Sequence, residues 1–178
     1  LHVRSRRQRH MCIRDRENGV WVPTFPNAKY LFSSEELSSM QKESKSPYDE
    51  YTKLVYQDSI LPIMESGQAN IIDDSTDLGR EINLIKTPGH SPGHYCVEIN
   101  SKDRNGILTG DVLHNPIQVD CPSMSTVFCD DKALSNETRV KIVDELTDSN
   151  TVVLAAHFSG TTAGVIKSNN NSRRFDLI

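Results

Sequence analysis

Two histidines four residues apart are the first feature of this sequence with chemical potential. The stretch Thr87-Pro-Gly-His90-Ser-Pro-Gly-His94 has the spacing of a helical zinc pair, but Pro92 and Gly93 between the imidazoles exclude a helix. The pair therefore sits on a loop, and at most one of the two needs to face a metal. Two later stretches repeat the design of an apolar run that closes on a ligand-type side chain. Gly106-Ile-Leu-Thr-Gly110 stops at Asp111, and Thr151-Val-Val-Leu-Ala-Ala156 stops at His157. Neutral imidazole and carboxylate are ligands that zinc accepts. A site assembled from the ends of separate strands is also a usual enzyme arrangement, since the sheet holds positions that loops alone leave loose. The plainer alternative is that His90 and His157 are ordinary loop histidines and Asp111 a turn former after Gly110.

The elements that must position these residues follow from hydrophobic patterning. Glu81 to Ile85 and Tyr95 to Ile99 alternate polar and apolar residues, which predicts two half-buried strands flanking the histidine loop. Trp21, Phe25, Tyr30 and Phe32, interrupted by Pro23 and Pro26, predict a loop leading into a short strand from Lys29 to Phe32. Ser33-Ser-Glu-Glu36 reads as a capping box that opens a helix to about Glu43. Tyr51, Leu54, Val55, Ile60, Leu61 and Met64 recur at helical spacing, with Gly67 as a stop. Pro62 should kink that helix or start a second one after Asp58-Ser59. Lys132 to Asp148 reads as a helix, and Val165-Ile166 and Phe175 to Ile178 as closing strands joined by a turn at Asn169 to Asn171. Asp73 to Asp77 lacks the pattern of a calcium loop and reads as a solvated turn.

The chain has 178 residues, enough for one domain that buries about 70% of its unfolded surface. A net charge of −4 gives no reason to expect a nucleic-acid partner. No apolar run approaches the ~20 residues of a membrane span. The four cysteines, Cys12, Cys96, Cys121 and Cys129, are too scattered for a disulfide framework or a zinc knuckle. Cys96 alternates with apolar neighbours and reads as a buried free thiol. A reducing, cytoplasmic location is the expectation.

Three motifs taken in order carry a family resemblance. TPGHSPGH, then GILTGDVLH, then VVLAAHFSGTTAG resemble the C-terminal half of the metallo-β-lactamase superfamily of metal-dependent hydrolases. Trp21 to Phe32 and Gly110 to Gln118 resemble the branch that contains lactonases and organophosphate hydrolases. The resemblance covers roughly residues 17 to 178. It implies an α+β fold, the αββα sandwich, with a two-metal site, usually zinc, along one edge. It also implies that Asp111 bridges the metals, that His90 and His2 hold the first, and that His157 holds the second. A bound water with its pKa lowered to ~7 would then supply hydroxide to attack a lactone, ester or phosphoester. His114, three residues after Asp111, either positions the substrate or its leaving group or is a plain surface turn histidine, and His94 reads as a supporting residue that donates to a neighbouring carbonyl or carboxylate. The implied partner is a small-molecule substrate. Iron, manganese or cobalt could replace zinc on such donors.

Residues 1–16 do not fit this pattern. Six arginines lie between Arg4 and Arg16 with no apolar periodicity. The family carries an H-x-H-x-D-H motif just before the region of Trp21, and Leu1-His2-Val3 resembles its middle. Arg4 and Ser5 stand where the motif's aspartate and last histidine should follow. The expectation is therefore that residues 1–16 are an aberrant, non-native N-terminus, and that 17–178 form a partial domain lacking most of the first sheet. The second metal would keep only Asp111 and His157, so this chain should bind metal weakly and hydrolyse little. Apolar strand faces such as Ile82 to Leu84 would lack cover, favouring aggregation or a homodimer. The competing expectation is a non-catalytic binding or scaffold domain of the same fold.

Overall fold

The structure is a computed structural model and describes residues 14–46, 49–160 and 162–178. The chain divides after Asp73 into two compact units.

In the first unit, β1 (Arg14–Glu17) and β2 (Val20–Pro23) form an antiparallel hairpin. The two-residue connection works because Asn18 and Gly19 both take positive φ, 51° and 85°, which matches the twist of the flanking strands. The Trp21 ring receives the guanidinium groups of Arg14 and Arg16 at 4.3 and 4.9 Å from its centroid. The sequence pattern predicts no strand here. β3 (Tyr30–Ser33) leads directly into α1 (Ser34–Glu43), whose first turn is capped by Ser33 Oγ accepting from the Glu36 N–H at 3.1 Å. Three short segments follow: α2 (Glu50–Val55), a π-helical turn (Tyr56–Ile60) and α3 (Leu61–Glu65). Pro62 falls in the first turn of α3, where its missing N–H costs nothing, and the π turn before it absorbs the break in the helical ladder. β4 (Ala69–Ile72) then pairs in parallel with β3.

The second unit is built on one six-stranded sheet. Its strands are β5 (Ile82–Lys86), β6 (Tyr95–Ile99), β7 (Gly106–Gly110), β8 (Val152–Ala155), β9 (Ala163–Asn169) and β10 (Ser172–Leu177), which lie side by side in chain order. Every pair is antiparallel except β7 with β8. A parallel pair needs a crossover. Here the crossover holds the short α4 (Ile117–Asp120) and α5 (Lys132–Leu146). α5 ends two residues before the expected Asp148, which takes φ 59° and donates its N–H to Ile166 O instead.

α5 buries Ile142, Val143 and Leu146 against Cys96, Ile107, Val153 and Ile166 of the sheet. Alternation in β6 turns Cys96 to this core, and the apolar runs of β7 and β8 supply Ile107 and Val153. On the opposite face, the registered pairs Ile82 with Ile99 and Val97 with Leu108 leave Ile82, Ile99 and Leu108 about 40% exposed. Cys96, Cys121 and Cys129 are free thiols, Cys96 fully buried as its strand position requires. Among the described residues no helix is long and apolar enough to cross a membrane.

Candidate metal centre

His90, Asp111 and His157 each lie on a loop that follows the end of a strand. The loop between β5 and β6 closes on itself, with the Thr87 N–H donating to His94 O at 2.8 Å and the Gly89 N–H to Ser91 O at 3.1 Å. It is also held from the start of α5. The N–H groups of Asp130 and Asp131 donate to the carbonyls of His90 and Gly89, each at 3.0 Å, and Thr138 Oγ1 donates to Pro88 O at 2.7 Å. Asp131 caps α5 at the same time by accepting from the Leu134 N–H. Gly89 allows this close approach: its φ is +121°, and a Cβ there would lie 2.2 Å from the Ser135 backbone nitrogen.

His94 lies behind the site and acts on Asp111 through its backbone. Its Nε2 accepts the Asp111 N–H at 3.0 Å, and its Nδ1 lies 2.7 Å from Thr87 Oγ1. Because Nε2 accepts, the ring proton is on Nδ1 and is donated to the threonine hydroxyl. Where the sequence predicts a carbonyl or carboxylate as the partner of His94, the structure gives it a hydroxyl on one side and a main-chain amide on the other. Gly110, with φ +50°, makes room, since a Cβ there would sit 2.8 Å from His94 Nε2.

Asp111 stands at the centre. Its Oδ2 is 3.2 Å from His90 Nε2, and its Oδ1 is 2.6 Å from His157 Nε2. His114 joins them with its ring centroid 5.1 Å from those of both His90 and His157, lying parallel to the His157 ring within 3°. The structure thus gathers His90, Asp111, His114 and His157. His2 lies outside the described residues. One ligand atom each from His90, Asp111 and His114 lie within 4.8 Å of one another.

His90 and Asp111 each favour the charged form of the other. The hydrogen bond to Asp111 raises the His90 pKa to about 9 against the opposing effect of burial, with a smaller contribution from Cys129. The hydrogen bond from His90, aided by that from His157, holds the Asp111 carboxyl well below the usual carboxylate range although burial acts the other way. Burial pushes His114 down, toward the neutral ring that a metal requires. The Nδ1 of His114 is out of contact with solvent and has no hydrogen-bond partner. Imidazole nitrogens, a carboxylate and an orphaned ring nitrogen suit a borderline divalent cation such as zinc.

Three supporting residues were not singled out from the sequence. Cys129 Sγ lies 3.9 Å from His90 Nδ1 and 3.2 Å from Ser135 Oγ. Burial acts to raise its pKa, but hydrogen bonds with Ser135, Thr126 and His90 outweigh it and bring the thiol down to about 6. Gln118 Oε1 accepts the His114 N–H at 2.7 Å, and Gln118 Nε2 donates to Met124 O at 2.8 Å. Arg139, fully buried on α5, donates to the carbonyls of Val112, Pro122 and Met124 and to Ser135 Oγ. Arg139 and Gln118 together pin the loop that carries Asp111 and His114.

No family model matches the sequence, and no curated protein does either. Solved structures do. A hydrolase of the beta-lactamase superfamily, AbOPH, superposes with a TM-score of 0.78 at 24% identity, over 88% of this chain and 57% of its own. The fold is metallo-β-lactamase-like. AidC, a dizinc quorum-quenching lactonase crystallised with a product, matches with a TM-score of 0.70 at 18% identity, over 88% of this chain and 56% of its own. A probable metal-dependent hydrolase from Staphylococcus aureus matches with a TM-score of 0.71 at 16% identity, over 88% and 54%. The chain therefore spans little more than half the length of these metallo-β-lactamase-like structures.

Proposed function

We propose that the chain belongs to a metal-dependent hydrolase that cleaves a lactone, ester or phosphoester in a small molecule. The observation that carries this reading is Asp111, whose two oxygens face imidazoles from two different loops, His90 at one and His157 at the other. A carboxylate used in this way is the usual bridge of a two-metal hydrolytic site. Zinc bound there would lower the pKa of a bound water to ~7 and polarise the substrate's electrophilic oxygen. His94 orients Asp111 through its amide, and the loop contacts from α5 hold His90 in place. The structural neighbours support the reading, since their own descriptions are of hydrolases and a dizinc lactonase.

The reading includes impaired catalysis, because Arg4 and Ser5 stand where the resemblance implies an aspartate and a histidine. Zinc titration by calorimetry, followed by a panel of lactones, nitrophenyl esters and phosphotriesters with and without chelator, tests it. The expected result is zinc binding that Asp111→Asn abolishes, with slow, chelator-sensitive turnover of one substrate class. Zinc binding without any turnover would favour the scaffold alternative, and no zinc binding at all would overturn the metal site.

A further inference from the structure

His114 is held more firmly than a residue waiting for a substrate needs to be. Its backbone N–H is fixed by Gln118, a side chain only 2% exposed, and its ring lies parallel to that of His157. The Phe128 ring, itself exposed, lies nearly parallel at 6.5 Å from its centroid. Within this setting Nδ1 has lost water without gaining a hydrogen bond. Buried polar atoms are nearly always paired, and an exception asks for an ion or ligand that completes it. The neighbours of the ring point to a cation: the Asp111 carboxylate and the imidazole of His90 each offer a ligand atom within 4.8 Å.

We propose that His114 is a metal ligand, binding a borderline divalent cation such as zinc or cobalt(II) together with His90 and Asp111. This rests on the cluster being a metal site, and departs from the sequence expectation that His114 meets the substrate. Ligand atoms around a tetrahedral zinc stand about 3.3 Å apart for bonds of ~2.0–2.1 Å. Closing from at most 4.8 Å therefore asks each pair of ligand atoms to approach by no more than ~1.5 Å. Asp111 keeps its other oxygen toward His157, so the three ligands do not consume the contact that a second cation would use. All three also come from the second unit, and the site so defined draws on no residue before Asp74.

The test uses the full chain, stripped with chelator and titrated with cobalt(II), whose visible spectrum reports coordination number, and with zinc by calorimetry. Wild type should bind one equivalent with a visible cobalt band. His114→Ala should weaken binding at least tenfold and reduce the band as water replaces nitrogen. Histidine 15N spectra of the wild-type chain should show a His114 ring nitrogen shifting on zinc addition, a readout that needs no variant to fold. If wild type binds but His114→Ala matches it in affinity and spectrum, and the His114 nitrogens do not shift, His114 is not a ligand although the metal site stands. If wild type binds neither ion, the site and the ligand assignment fall together.

Discussion

Replacing Asp111 by asparagine keeps the shape of the side chain and removes its charge, so the response of His90 measures their coupling directly. In the metal-free protein His90 titrates at about 9 rather than 6.5, chiefly because its Nε2–H bonds to Asp111 Oδ2 at 3.2 Å. That rise corresponds to a ceiling of ~3 kcal/mol. The Asp111 side chain is 37% exposed and His90 19%, so solvent screens part of the interaction. About half of the ceiling, ~1–2 kcal/mol, is the coupling to expect. Asp111→Asn should therefore lower the His90 pKa by at least ~1 unit. Burial, which opposes the charged ring, acts in both proteins and is left unbalanced in the variant. The assay is a pH titration of the His90 imidazole resonances in chelator-treated protein.

The same pair sets a pH window for stability. His90 has a folded pKa above its unfolded value, so its contribution is complete below about 6.5 and disappears as pH rises through about 9. Asp111 has a depressed pKa, so its contribution is present above 3.8 and disappears as pH falls through the folded value. Melting temperature should thus decline on the alkaline side through about pH 9 in wild type and lose that limb in the variant. A His90 titration that Asp111→Asn leaves unmoved would refute the pairing.

Three other outcomes follow from the geometry. Gly89→Ala should cost at least ~2 kcal/mol in urea unfolding, since its Cβ would meet the Ser135 nitrogen at 2.2 Å with φ at +121° and no flexible side chain to yield. Arg139→Met fills similar space but leaves the Val112 and Pro122 carbonyls without this donor, and at ~1–3 kcal/mol for each buried group left unpaired should lower the melting temperature markedly. His94→Ala removes the acceptor of the Asp111 N–H and should weaken zinc binding ~10–100-fold by calorimetry while the circular dichroism spectrum stays folded.

Which of these features could be read from the sequence depends on where each residue finds its partners. β5 and β6 were legible from their alternation and β7 and β8 from their apolar runs, and His90, Asp111 and His157 because each follows such a strand. β1 was not: Arg14-Asp-Arg-Glu17 has no apolar face, and its pairing depends on the Asn18-Gly19 turn and on Trp21 across the hairpin. Arg139 looks like a solvated position of an ordinary helix. It is fully buried because carbonyls 15 to 27 residues earlier receive its donors, and nothing local announces them. Cys129 is similar, since its place beside His90 comes from a turn that closes over 39 residues of chain. The loop holding Asp111 and His114 is thus anchored by residues whose types suggest surface. Substitutions that look conservative on an exposed helix, such as Arg139→Lys, should therefore disturb the metal centre more than changes at the 40%-exposed Leu108, although Leu108 belongs to a strand that leads straight to Asp111.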